Sequence, residues 1–197
     1  MRKIKDIKEF CQYALASVGA GYVYYKINTI PEYKAKDPIK LERILAKVDA
    51  VYNTNRNKDW RYRNKKEGKA NYTGFYYLGK IYLFKTNGTR LDSEENGFEA
   101  HGDNLELKLS DHLGLILFRD ERKKLTFRLS KTYYRAKKEK LKMAVYKNDG
   151  KSFHYELKML KGFPTYRGIQ IQRVAMKKYI RDLQKKYRTH FKVPMYL

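Results

Sequence analysis

Nine carboxylates fall within residues 87–121: Asp92, Glu94, Glu95, Glu99, Asp103, Glu106, Asp111, Asp120 and Glu121, against three basic residues. Clustered carboxylates can hold a divalent cation, and a neighbouring lysine can then position the attacking water. Glu106 and Lys108 lie two residues apart, so on a strand both stand on one face. Asp92 and Asp103 add further oxygens. The chemistry such a set implies is metal-dependent cleavage of a phosphodiester. Mg²⁺ or Mn²⁺ would be its cofactor, and no other cofactor is expected.

Asp92 followed by Glu106-Leu107-Lys108 is similar in outline to the PD-(D/E)xK nucleases, a resemblance that implies catalysis by Asp92, Glu106 and Lys108, with Asp103 the further candidate of the acidic set. The triplet is a short pattern in a lysine-rich chain, however. Glu67-Gly68-Lys69 and Glu156-Leu157-Lys158 match it as well, so a nuclease is the alternative reading. Other catalytic frameworks are missing. His101, His112, His154 and His190 are scattered and form no HxH or HExxH pattern. Cys11 is the lone cysteine, which excludes an internal disulfide and a thiolate zinc site. Leu113 to Asp120 is similar at its start to the LAGLIDADG motif, but Phe118 stands where a small residue is needed, so a buried strand is expected. Lys161-Gly162-Phe163 begins like an RNA-recognition strand, and Pro164 then removes a ladder donor. There is no phosphate-binding glycine loop and no Gly-x-Ser-x-Gly nucleophile elbow.

A second set of residues carries a different chemistry. Lys58, Trp60, Arg61, Tyr62, Arg63, Lys65 and Lys66 set cationic heads beside flat rings. Such interleaving pairs with phosphates by charge and with bases by stacking. Lys131, Tyr134, Arg135, Lys137 and Lys138 repeat the theme, with Lys140 and Lys142 following. A third group, Lys178, Arg181, Lys185 and Arg188, recurs at helical spacing with only Asp182 intruding.

The charge balance supports this second set. The 197 residues hold 45 Lys and Arg against 21 Asp and Glu, a formal net charge of +24. Residues 122–197 alone carry 23 basic and 4 acidic groups. Charge of one sign at this density repels itself and calls for a polyanionic partner. The expected function is therefore nucleic-acid binding through the phosphate backbone, of RNA or DNA, as a component of a nucleoprotein complex or a mobile, plasmid-type element. Other proteins of such a complex are further expected partners. A third reading is a basic adaptor that docks an acidic protein. No run of apolar residues is long enough to span a bilayer, and the basic start lacks an apolar signal region, so a soluble cytoplasmic protein without membrane partners is expected.

These groups must be positioned by a folded chain, since 42% hydrophobic residues and 29 aromatics can bury a core. Ile4, Ile7, Phe10, Cys11, Ala14, Leu15 and Val18 predict an amphipathic helix. Asp37-Pro38 opens a second helix, an N-cap followed by proline at the first helical position. Residues 53–71 read as a short exposed helix or a long loop. Strands are expected near 21–30, 72–86 and 105–129, with a hairpin at Gly79 and an acidic loop over 87–104. Ser130 is expected to cap a helix reaching Tyr146, and helices dominate 130–192. From Tyr166 onward Ile169, Met176, Ile180, Leu183 and Tyr187 form an apolar stripe, with the cations roughly 200° around. The expected fold is one α+β domain over 1–197, a mostly antiparallel sheet packed by N-terminal and C-terminal helices.

Overall fold

The computed structural model describes residues 1–91 and 96–194. The fold is α+β, with terminal helices and two sheets where a single one is expected. The chain groups into two compact units, Met1–Asp103 and Asn104–Leu197, each described by itself.

In the first unit, β1 (Arg2–Lys3), α1 (Ile7–Gly19), β2 (Tyr24–Thr29), α2 (Glu32–Ala35), α3 (Pro38–Tyr52), α4 (Lys58–Lys66), β3 (Tyr72–Tyr77), β4 (Lys80–Lys85) and β5 (Glu99–Ala100) follow in order. The sheet order is β1-β3-β4-β2-β5, antiparallel except for β1 beside β3. The β3–β4 hairpin turns on Leu78 and Gly79, both at positive φ, which matches the right-handed strand twist. Part of the expected acidic loop, Glu99–Ala100, is instead an edge strand on β2.

The central strand β4 is buried on both faces. Alternate residues point opposite ways along a strand. Phe75 and Tyr82 therefore meet Phe10 of α1, with Phe10 at 5.5 Å from Phe75 and 5.0 Å from Tyr82 between ring centroids, and Phe84 lies 5.9 Å from Phe75. Ile81 and Leu83 join Tyr72 and α3's Leu41, Leu45 and Tyr52 on the other side. Part of the surplus of tyrosine thus goes into core: Tyr72 and Tyr82 are among the most buried large side chains. As expected, Asp37 caps α3, accepting from the backbone N–H of Ile39 at 3.0 Å and of Lys40 at 3.1 Å.

The second unit holds β6 (Asn104–Lys108), β7 (Gly114–Arg119), β8 (Leu125–Leu129), α5 (Lys131–Tyr146), α6 (Gly150–Lys161) and α7 (Arg167–Tyr187). The three strands form an antiparallel meander, and the LAGLIDADG-like segment is strand β7. Ser130 caps α5 as expected, and Asp149 caps α6. Helix α7 lies along edge strand β8, where the Gln172 carboxamide completes the ladder. Its Nε2 donates to Leu129 O at 3.0 Å and its Oε1 accepts from Leu129 N–H at 2.7 Å. The buried Arg173 guanidinium donates to the carbonyls of Leu160, Lys161 and Phe163, closing the C-terminal end of α6.

Candidate functional site

Residues 58–66 form a helix despite their polarity because local chemistry supports one. The Asn57 side chain accepts from Trp60 N–H at 2.9 Å, Asp59 sits in the first turn, and Arg63, Lys65 and Lys66 occupy the last. Both charge placements complement the helix dipole. Helical spacing then separates the basic–aromatic run into faces. Lys58, Arg61, Tyr62 and Lys65 line one wall of a cavity of about 580 Å³. Tyr22, Asn71 and Thr86 line another. Arg63 and Lys66 are exposed outside this lining, with Lys66 Nζ 5.4 Å from the Tyr62 ring centroid. Trp60 is half-buried, and the Arg56 guanidinium lies 5.5 Å from its ring.

Asn71 is the most constrained of these groups. Its backbone N–H donates to Thr86 Oγ1 at 2.9 Å, and its carbonyl accepts from Thr86 N–H at 3.0 Å. Its side-chain Nδ2 donates to the Arg61 carbonyl at 3.0 Å. A carbonyl only accepts, so this bond fixes which end of the amide faces Arg61 and turns Oδ1 away. The Arg61 guanidinium is tied in turn by Nη2 to Thr54 O at 3.2 Å. Neither Asn71 Oδ1 nor Arg61 Nε has a hydrogen-bond partner among the described residues, although both atoms are buried. Each such unmade bond costs about 1–3 kcal/mol. Both atoms are sealed from solvent, and the Lys58, Lys65 and Tyr62 side chains are the exposed groups of the α4 wall. Burial pushes the Tyr22 hydroxyl above its usual pKa, partly offset by the Arg61 charge.

On α5 the expected cluster is reduced. Lys131 and Arg135 are exposed, and Lys138 is half-buried with Nζ 4.1 Å from the Tyr179 ring centroid. Tyr134 is a strut rather than a stacking platform, since its hydroxyl donates to Gln172 O at 3.0 Å. Burial raises its pKa. Lys137 is a correction to the sequence reading: it is 5% exposed and ion-paired with the buried Glu156, so its ammonium is committed inside the unit.

Helix α7 keeps its expected stripes. Ile169, Met176, Ile180 and Leu183 are buried, whereas Lys178, Arg181, Lys185 and Arg188 are all exposed. None of these four cations has an acidic partner among the described residues. The helix ends at Tyr187, and Arg188 is its left-handed C-cap.

Of the carboxylate set, Asp92 lies outside the described residues. Asp103 is exposed, and Glu106 and Lys108 share the exposed face of β6. Among the described residues, no three of His, Cys, Asp and Glu come together as a metal-binding group. Comparison with known proteins adds no assignment: no family model, no curated protein and no solved structure matches the chain.

Sequence reasoning missed Asn71, Tyr22 and Thr86. The one available signal was Lys58, Arg61, Tyr62 and Lys65 at i, i+3, i+4 and i+7, which marks a shared helix face once a helix is assigned.

Proposed function

We propose that this protein binds nucleic acid through its phosphate backbone, using the exposed face of α7 and the cavity-lining face of α4. The observation that carries this reading is the row Lys178, Arg181, Lys185 and Arg188, four exposed cations along about 15 Å of helix with Asp182 the one acid among them and no ion pair to any described carboxylate. A solvated surface face would intersperse acids, because alternating charges stabilise a helix and like charges at i, i+4 oppose it. The unit that bears the row carries 25 Lys and Arg against 8 Asp and Glu. Lys131 and Arg135 add exposed cations on α5. Work within a nucleoprotein assembly suits such a surface, which stays self-repelling until a polyanion covers it.

The test is a titration of labelled single-stranded and double-stranded RNA and DNA, followed by fluorescence anisotropy at several salt concentrations. Log K should fall linearly with log salt, at a slope of about −0.7 to −0.9 per phosphate contacted, with about 5–8 contacts. Affinity independent of salt would remove backbone binding and favour docking to a protein through apolar surface.

A further inference from the structure

Helix α7 divides its exposed surface into two parts. Over residues 167–177 the exposed side chains are all apolar: Ile171 at 55% exposure, Val174 at 70%, and Ala175. Over residues 178–188 they are all charged, the cation row with Lys186 and the single acid Asp182. Ile171, Val174, Lys178, Arg181, Lys185 and Arg188 recur at alternating steps of four and three, so they share one side of the helix over about 25 Å. Cations also border the apolar end from two neighbouring elements. Arg167 in the first turn of α7 pairs with Glu121 at 2.6 Å, which brings the β7–β8 turn and its exposed Arg122, Lys123 and Lys124 to this end. On α5, Tyr134 bonds to Gln172 O, and the next residue, Arg135, is exposed. Two β-branched side chains left in water amid cations have no use for phosphate, so a backbone contact alone does not account for them.

We infer that α7 enters the major groove of B-form duplex DNA, its apolar end against the C5-methyl groups of thymine and its cations on the phosphates that flank the groove. A helix with its side chains is about 10–12 Å across, and the major groove of B-DNA is about 12 Å wide. The groove floor offers thymine methyls for apolar contact, and its walls are phosphates. The corresponding groove of A-form RNA is deep and narrow and closed to side chains, and uracil carries no methyl. Contact of base edges by the N-terminal part of a helix is a general docking geometry. The cations in line with Ile171 and Val174 make the occupant of this face a polyanion rather than an apolar protein surface. This rests on the nucleic-acid reading above and narrows it to one class of duplex.

The experiment measures anisotropy of three labelled duplexes of about 20 base pairs and one A·T-rich sequence: DNA, the same DNA with uracil in place of thymine, and RNA. The wild-type protein is expected to bind the thymine duplex more tightly than the uracil duplex, by about fourfold for each methyl covered, the factor that burying one methyl group supplies. RNA should bind no better than the uracil duplex. Ile171→Ala combined with Val174→Ala should bring the thymine-to-uracil ratio near one and leave affinity for the uracil duplex and its salt slope unchanged, since no charge is altered. Both positions are exposed, thermal unfolding checks the variant, and the wild-type ratio decides the matter even without it. Equal wild-type affinity for the two DNA duplexes overturns the groove assignment, as does a ratio that survives the folded variant or RNA bound as tightly as the thymine duplex. In each of these cases salt-dependent binding leaves the backbone reading standing. Binding of no nucleic acid overturns both.

Discussion

Lys137 on α5 and Glu156 on α6 form an ion pair in which both residues are more than nine-tenths buried. The mostly exposed Lys140 adds a second ammonium on Glu156, Nζ to Oε1 at 3.8 Å, and the two helices also bury Leu141, Ala144, Phe153, Leu157 and Leu160. Such pairs contribute little relative to an apolar replacement, because desolvation offsets the attraction. Removing one partner is a different matter, since it strands the other charge.

Glu156→Ala should therefore lower unfolding free energy by about 3–5 kcal/mol in urea denaturation. The double replacement Lys137→Met with Glu156→Leu should recover most of that loss, because it strands neither charge. If the double variant is no better than Glu156→Ala, the pair is not what the two helices need. Nucleic-acid affinity of the folded double variant should match the wild type, as the Lys137 ammonium does not reach the surface.

Gly168 marks the closest approach of α7 to the sheet. A Cβ built there would lie 2.5 Å from the Phe127 carbonyl oxygen and 2.9 Å from the Phe118 ring. The carbonyl belongs to strand β8 and cannot step aside as a flexible side chain could. Gly168→Ala should cost about 1–3 kcal/mol or more by forcing the helix off the strand. Val174→Ala, at a position 70% exposed on the same helix, should stay within about 0.5 kcal/mol of wild type. Equal effects at the two sites would show that the approach is not tight.

Much of this architecture was legible because its signals are local. Asp37-Pro38, Ser130 and the Leu78-Gly79 turn each act on a backbone group within a few residues, so their spacing alone predicts them. The reading of 53–71 stayed open between helix and loop because its apolar content is too low to show periodicity. Only the Asn57 cap and the charge order decide it. Lys137 was misplaced although a signal existed: Tyr133, Lys137, Leu141 and Ala144 fall on one stripe, so a charge there needs a buried partner. Asn71 carried no such signal. Its partners Arg61 and Thr86 lie 10 and 15 residues away, brought together only when α4 docks beside the β3–β4 hairpin. The same tertiary docking turned Tyr134 from a stacking candidate into a strut on Gln172.

The helix caps give the protein a defined acid response. Asp37 is held below the usual carboxylate range by the backbone N–H and then the ammonium of Lys40. Asp149 is held down by the hydroxyl and then the backbone N–H of Ser152. A carboxylate with a depressed folded pKa contributes stability that is full above its unfolded value, about 3.9, and is lost as pH falls through the folded value. Melting temperature should therefore drop below about pH 4. Asp37→Asn or Asp149→Asn keeps a capping acceptor without the charge. Each should be somewhat less stable than wild type at neutral pH, where the charge contributes, and show a shallower acid loss. Parallel curves for variant and wild type would mean the caps do not titrate in this window.

The row on α7 separates charge from packing most directly. Lys178, Arg181, Lys185 and Arg188 are exposed, and the buried stripe of Ile169, Met176, Ile180 and Leu183 lies on the opposite side of the helix. Changing the four cations to Gln keeps helix propensity nearly constant, because Gln ranks with Lys and Arg. It also lowers a net charge of +24 that opposes compaction. The melting temperature should stay level or rise, while affinity for every nucleic acid tested should fall. The slope of log K against log salt should become shallower by about 0.7–0.9 for each contact removed. Leu183→Ala should do the reverse, costing about 2–5 kcal/mol of stability while the folded fraction binds normally. Unfolding of the four-Gln variant would mean that the row packs against the protein. Full binding by that variant would move the phosphate contacts to α4 and α5, where Lys58, Lys65, Lys131 and Arg135 remain.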